Sequence, residues 1–583
     1  MKKIFFALLV IGLGMTSCSD SYMEELNTDD SKVSQIDPNA QLTTALLQTY
    51  GDISLMDTYR NYITGFTQHL AGGWNVTFYA GSVHFENDIT RRIWDRYYVV
   101  AIKNLVDAIH NSEDKPNLNA ALRIHRVFLS GVLADIYGDV PCSEAGLGYI
   151  LGVSTPKYDT VEELYNWFFT ELSDCEQQLG TGTDHITGDV TSMGGDVNMW
   201  KKYANSLRMR YAMRISDIEP AKAQQEFEKA MNSGYIASAT DDAYVIYSDS
   251  PYTFYKGADD YDFRTNALSE ILYGQDPASP TFVCSTLFYQ LKNTNDPRLY
   301  RICRHYYNIK RSQTKPDKEQ NIDLTEELLA NFNANVGEEP CNPGAAWWHN
   351  WMNVLATDKF PTLKKWAEQD PNSYDNSDYR ARTMRPMLNI DFEMPTNPGI
   401  LITAAEVQFL LAEAKLKGWN VSGDVESFFR AGVTASMEML NNYYLTSNKI
   451  TAEEINDYID DLIINDALSA EKAKESINTQ AWILHLTNPS EAWANMRRSD
   501  YPAVLDRTRL EVFTDGFVPS SDMTMPTRLN YPELESQYNS VNYKAALERL
   551  GGKDNWHKRL WWDTDDLKVQ DSFNPPFGKG YIK

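Results

Sequence analysis

Thr403-Ala404-Ala405-Glu406-Val407-Gln408-Phe409-Leu410-Leu411-Ala412-Glu413-Ala414-Lys415-Leu416-Lys417-Gly418 is the stretch that decides the fold class. Thr403 is a helix N-cap residue, whose hydroxyl can accept from a backbone N–H of the first turn. The helix it starts, Ala404 to Lys417, is apolar nearly all round: Val407, Phe409, Leu410, Leu411, Ala414 and Leu416 leave no wide polar face. Such a helix is buried in a large body and does not lie on a surface. Gly418 ends it, because glycine takes the left-handed C-cap conformation without steric cost. Asp424 to Asn442 then answers it as the second arm of a helical hairpin.

The same logic extends in both directions. Ala121 to Tyr137 places Leu122, Leu129, Leu133 and Ile136 at helical spacing, and Gly138-Asp139-Val140-Pro141 stops it. Thr160 and Glu163 stand as a capping box before a helix that turns Val161, Leu164, Tyr165, Phe168 and Leu172 inward. From Trp200 to Ile215 one stripe carries Trp200, Tyr203, Ala204, Leu207, Tyr211 and Ile215, with Arg210 and Arg214 one turn apart on another face. Ala221–Asn232, Thr451–Leu462 and Glu471–Leu486 are further helices. Paired amphipathic helices with short turns predict a mostly α protein: tetratricopeptide-like hairpins in a single large helical body. The pairing carries this reading, since no clean repeat period is present. From Asp241 to Pro398 the chain is rich in Pro, Gly, Asn, Asp and aromatics, so a loop-rich, aromatic-rich insert (about 241–398) is expected to interrupt a helical scaffold at about 36–240 and 399–517. The tail from Val518 to Lys583 also reads as loop-rich.

The N-terminus is a targeting segment. Lys2 and Lys3 precede an apolar run from Ile4 to Met15, then small residues and Cys18, the order of a secretory signal peptide over residues 1–17. Met15-Thr16-Ser17-Cys18 resembles a bacterial lipobox, which makes Cys18 the lipidated first residue and residues 18–35 an acidic tether. Simple cleavage and release is the rival reading. Acidic residues soon after such a cysteine resemble surface-export signals of Bacteroidetes lipoproteins. The net charge of −26 disfavours nucleic acid as a partner. Cys142, Cys175, Cys284, Cys303 and Cys341 are widely scattered with no CxxC pair, so buried thiols are expected in place of a zinc knuckle.

Several segments, in order, resemble the SusD/RagB family: Ala121-Leu122-Arg123-Ile124-His125-Arg126 leading to Asp135-Ile136-Tyr137-Gly138-Asp139-Val140-Pro141; Pro156 to Thr160; Trp200 to Arg210; Asn295-Asp296-Pro297-Arg298; Thr403 to Ala414; Glu491-Ala492-Trp493-Ala494-Asn495-Met496-Arg497-Arg498; and Pro526 to Pro532. Together they run from about Ile36 to the C-terminus. The resemblance implies a tetratricopeptide-type body sitting as a lid over a SusC-like TonB-dependent β-barrel transporter. It implies an oligosaccharide ligand and an outer-membrane, surface-exposed location, with anchoring in lipid through acylated Cys18. Some relatives handle peptides. The motif residues themselves read as structural: Glu406 and Glu413 are expected to pair with arginines or cap backbone groups, and the Arg497-Arg498 pair to form buried salt bridges.

No HExxH, GxSxG or GxxxxGK[ST] motif is present, and the nine histidines show no metal-pair spacing on one helix. No catalytic residue, metal or cofactor is therefore expected, and binding is preferred over enzymatic turnover. Sugars offer C–H faces that stack on aromatic rings and hydroxyls that need amide partners. Gly72-Gly73-Trp74-Asn75-Val76-Thr77-Phe78-Tyr79 and Pro343 to Trp351 fit that chemistry, making Trp74, Asn75, Phe78, Tyr79, Trp347 and Trp348 the candidate ligand residues. Tyr252-Thr253-Phe254-Tyr255 is a weaker third segment. Core packing is the competing role for each of these rings. The rival functions are peptide capture on the same fold, glycoside hydrolysis, and a purely structural lid.

Overall fold

Several of the long helices begin at a capping side chain. A computed structural model describes residues 36–52, 54–71, 76–248, 263–268, 282–304, 306–307, 322–323, 387–462, 468–509 and 520–570. In chain order the principal helices are α1 (Pro38–Gly51), α2 (Lys103–His110), α3 (Pro116–Tyr137), α4 (Val161–Gln178), α5 (Val197–Arg214), α6 (Pro220–Ser233), α7 (Ser285–Asn293), α8 (Ala404–Leu416), α9 (Val425–Tyr443), α10 (Ala452–Asp461), α11 (Ala470–Leu484), α12 (Pro489–Ser499) and α13 (Ser540–Arg549). The Thr160/Glu163 capping box forms as expected, and Thr451 with Glu454 makes a second one before α10. Asp424 accepts from the Ser427 amide at 2.8 Å to open α9. Pro116 stands in the first turn of α3, where its missing N–H costs nothing.

Consecutive helices pack against each other: α3 on α4, α4 on α5, α5 on α6 and α8 on α9. This is the tetratricopeptide-like arrangement that the helix pairing predicts. The α8–α9 crossing is close because Gly432 has no side chain; a Cβ there would stand 2.5 Å from the Phe409 ring. Short two-stranded ladders tie the body together. They are formed by β1 (Leu70–Ala71), β2 (Ala243–Val245), β3 (Phe282–Val283) and β4 (Gly399–Ile402). β4 pairs with β2, Gly399 opposite Val245, so the chain between residues 246 and 398 leaves and returns at one ladder. β1 pairs with β3, Ala71 opposite Phe282.

Two apolar cores result. The first contains Leu122, Leu129, Trp200, Tyr203 and Leu207; the second contains Leu287, Phe288, Phe429, Met437 and Trp482. α8 is the wall between them. It turns Val407, Leu411 and Ala414 to the first and Ala405, Phe409 and Ala412 to the second, which is why it is apolar on both sides. The described parts of 241–398 include α7, and Leu287 and Phe288 on it are fully buried.

Among the described residues, five of the named helices stand where the periodicity argument placed none: α1, α2, α7, α12 and α13. α5 also differs in detail. Arg210 and Arg214 do lie off the apolar stripe, yet every residue from Tyr203 to Arg214 is buried. Their face is covered because it carries its own counterions. Arg210 forks onto Glu406 with N–O distances of 2.5 and 2.7 Å, and Arg214 donates to both oxygens of Glu491 at 2.7 Å. Arg498 pairs with Glu413, so the expected salt bridge forms there. Arg497 forms none among the described residues. Neighbours on a helix point about 100° apart, and Arg497 instead donates to the carbonyls of Trp493, Thr527 and Asp135 at 3.0, 2.6 and 2.7 Å and lies 3.9 Å over the Trp493 ring. Cys142, Cys175, Cys284 and Cys303 are buried thiols, as expected; Cys341 and the tether with Cys18 lie outside the described residues. Among the described residues no helix is long and apolar enough to cross a membrane.

Burial works to raise the Glu413 carboxyl, but Arg498 outweighs it and holds the group below the ordinary carboxylate range. Removing one member of such a pair strands the other, at a cost of about 3–5 kcal/mol. Glu413→Ala is therefore expected to lower unfolding stability by that amount at neutral pH, read by urea titration, with the deficit shrinking below about pH 4 as the wild-type carboxyl is protonated. A loss under about 1 kcal/mol would show the pair to be dispensable.

Candidate ligand-binding site

The turn that carries Phe78 and Tyr79 rises from a tightly bonded base. Thr64–Phe66 closes a helical run that starts at Leu55, and β1 follows within a few residues. Between them, Gln68 adopts a left-handed backbone with φ 55°. That conformation costs an L-residue roughly 1–2 kcal/mol, and the side chain offsets it. Its amide nitrogen donates to the Leu505 carbonyl at 2.8 Å, while its oxygen accepts from the Leu505 N–H at 3.1 Å and from the Thr286 hydroxyl. Gln68 thus bonds residue 505 as a neighbouring strand would.

His69 is held next to it. Its Nε2 donates to the Trp482 carbonyl at 3.0 Å, its ring stacks on the Trp482 indole at 4.4 Å, and Trp482 Nε1 donates back to the Thr67 carbonyl at 3.0 Å. Complete burial pushes the imidazole down to about 3, so it is neutral and serves as a fixed strut.

Beyond the base, Thr77–Gly81 forms a single wide helical turn. Phe78 and Tyr79 sit on it, both half-buried. Phe78 stacks on His84 at 4.9 Å, and Tyr79 packs against Tyr62 at 5.7 Å. Tyr62 in turn meets Phe66 at 5.7 Å and Trp556 edge-on at 6.3 Å. The second half of the predicted aromatic loop is therefore helical and tied into an aromatic cluster. Trp74, Asn75, Trp347 and Trp348 lie outside the described residues, as does Tyr252 to Tyr255. The chain leaving Ala71 toward Trp74 and the insert's chain arriving at Phe282 meet at one register pair.

Beside Gln68 lies a cavity of about 270 Å³, with Gln68, Arg497, Leu505, Arg507, Met525 and Asp563 among its walls. Arg507 is buried and donates to the backbone carbonyls of Gly65 and Ala80. Burial pushes the Asp563 carboxyl up to about 7, against the opposing pull of Arg497 and Arg559. None of Gln68, Trp482, Arg507 or Asp563 stands out in the sequence, because each acts through partners far along the chain. Among the described residues, Glu406, His485 and Glu491 are close enough to share a metal ion. Arg210 and Arg214 already satisfy those carboxylates, so the charge there is balanced without a cation.

Comparison with known proteins agrees with this architecture. Residues 30–332 match a family described as "Starch-binding associating with outer membrane", and residues 362–563 one described as "Susd and RagB outer membrane lipoprotein". No curated protein matches the chain. Among solved structures, a SusD-like protein described as Bacteroidetes AC2a is 39% identical with a TM-score of 0.81, over 91% of this chain and 100% of its own. A protein named as chitin-binding is 29% identical with a TM-score of 0.70, over 91% and 100%. A chitin-binding SusD homologue from Flavobacterium johnsoniae shares the fold at 21% identity and a TM-score of 0.63, over 91% and 98%.

The raised Asp563 carboxyl sets a pH dependence. The folded state holds its proton up to about pH 7, whereas the unfolded chain releases it near pH 4. Stability from this group is thus complete below about pH 4 and lost as pH rises through about 7. Asp563→Asn is expected to match wild type in melting temperature near pH 4 and to exceed it above pH 7. Parallel melting curves across that range would refute the assignment.

Proposed function

Since the chain belongs to the SusD/RagB family of outer-membrane lipoproteins, we propose that it captures an oligosaccharide at the cell surface and hands it to a SusC-like TonB-dependent barrel transporter. Cys18 carries the lipid anchor, and residues 19–35 are the tether that lets the body reach the barrel. The observation that carries the sugar assignment is the 29%-identical relative named as chitin-binding, which covers nearly the whole chain. The placement of the aromatic segments supports it. Phe78 and Tyr79 stand on a turn with a rigid base, reached by the chain that leaves β1 toward Trp74.

In this reading the aromatic rings take the C–H faces of the sugar, and Asn75 bonds its hydroxyls. Binding needs no nucleophile or proton transfer, so the protein holds its ligand and does not cleave it. A stiff base serves capture because a preorganised site has less ordering entropy to lose on association.

The protein without its signal segment should bind one or more members of a glycan panel, chito-oligosaccharides first, in isothermal titration. Trp74→Ala and Trp348→Ala should each weaken binding about tenfold, near 1.4 kcal/mol. Peptide binding without sugar binding would transfer the fold to the peptide ligand, and release of shorter sugars would make it a hydrolase. Cys18→Ser should move the protein from the membrane fraction to the soluble fraction; unchanged fractionation would remove the lipid anchor from this account.

A further inference from the structure

We propose that Arg507 is a positioning residue for ligand capture, a guanidinium clamp that joins the two stems of the aromatic turn. The inference rests on the reading that the segment ending in Phe78 and Tyr79 contacts ligand. Arg507 lies more than four hundred residues from the turn in sequence, yet it donates one Nη to the Ala80 carbonyl and the other to the Gly65 carbonyl. Gly65 lies in the last turn of the helical run from Leu55, and Ala80 lies in the turn Thr77–Gly81. Both carbonyls lie near C-terminal ends of helical segments, where the dipole is negative; the Gly65 oxygen also accepts from the Gln68 N–H at 3.2 Å.

Three further observations favour a positioning role. First, the stems touch. A Cβ on Gly65 would stand 2.5 Å from the Ala80 Cβ, so the clamp closes across a contact with no slack. Second, the clamp is itself anchored. Leu505, two residues before Arg507, is bonded on both sides of its backbone by Gln68, and the Arg507 guanidinium lies 5.9 Å from the Phe66 ring. Third, Arg507 is kept as a buried cation, 5% exposed, with no carboxylate in ion-pair distance among the described residues and its Nε unbonded. Arg210, Arg214, Arg298 and Arg498 are equally buried, and each has a carboxylate. An uncompensated buried charge lowers stability. Burial brings this guanidinium down to about 10, still charged at neutral pH. Its planar fork does what an ammonium on a lysine stem cannot: it meets two carbonyls on separate segments in one fixed geometry.

Because Arg507 lines the open cavity of about 270 Å³, a small guanidinium can reach the space its side chain would vacate. The test therefore uses Arg507→Ala with ethylguanidinium as the rescuing probe and ethylammonium as the control. Hydrogen exchange should accelerate at least about tenfold in residues 76–84 of the variant, with the α8–α9 hairpin as protected as in wild type. Chito-oligosaccharide affinity should fall about tenfold. Millimolar ethylguanidinium should restore both the protection and the affinity, and ethylammonium neither. If Arg507→Ala does not fold, Arg507→Lys, which keeps the charge and loses the fork, should show the same local exchange and weakened binding. Unchanged exchange at 76–84, or affinity within about twofold of wild type while Phe78→Ala or Tyr79→Ala weakens binding, overturns the clamp. If those two variants and Trp74→Ala all bind as wild type does, the ligand-turn reading fails instead; exchange at 76–84 still decides whether Arg507 holds the stems.

Discussion

Two cores share one wall, and buried charge pins that wall in place. α8 must be apolar on two sides to serve both cores, and an all-round apolar helix has no preferred rotation about its axis. Glu406 and Glu413 supply one. Glu406 is gripped by Arg210 of α5, and Glu413 by Arg498 of α12, each pair buried. The network continues from Arg214 to Glu491 and to Asp135 of α3, whose carboxylate also accepts from Tyr165 at 2.5 Å and Trp562 at 3.2 Å. Five helices and the C-terminal segment are thereby set in one register. Hydrophobic burial gives the larger share of stability but is non-directional; the forked arginine–carboxylate bonds carry the orientation.

That register reaches the candidate site through α11 and α12. Trp482 on α11 stacks on His69, and Leu505, just past α12, is held by Gln68. The base of the aromatic turn is therefore bonded to the scaffold by side chains, with β1 contributing only two residues of ladder. Elements so short cannot hold a loop through strand pairing alone. Side-chain amides, indole and guanidinium groups substitute for the missing strand partners.

The adjacent arginines of α12 show how closely context decides a role. Arg498 faces α8 and finds a carboxylate. Arg497, one residue earlier, faces the carbonyls of α3 and the C-terminal segment and the ring of Trp493. Nothing in a dipeptide of identical residues distinguishes them. Phe78 and Tyr79 teach the same lesson from the other direction. Glycines and polar neighbours read as an open loop, yet Tyr62, which is distant from the turn in sequence and close in space, draws the second half of the segment into a cluster.

Local chemistry was legible from the chain alone. The capping box at Thr160, the Gly138 stop, the apolar circuit of α8 and the hairpin with α9 all depend on residues a few positions apart, where spacing carries the physics. These were sufficient for the helical class and for the pairing of neighbours. α1, α2, α7, α12 and α13 escaped: α1 has only a weak amphipathic pattern and is covered by long-range contact, while α2 is strongly amphipathic but only 8 residues long. The partners of Arg210, Arg498 and Arg507, the joint role of Gln68 and Leu505, and the meeting of Ala71 with Phe282 were decided only by the tertiary structure. Each joins groups tens to hundreds of residues apart, and a hydrogen bond or ion pair over that separation depends on which surfaces the packed cores bring within about 3 Å, a distance no sequence spacing encodes.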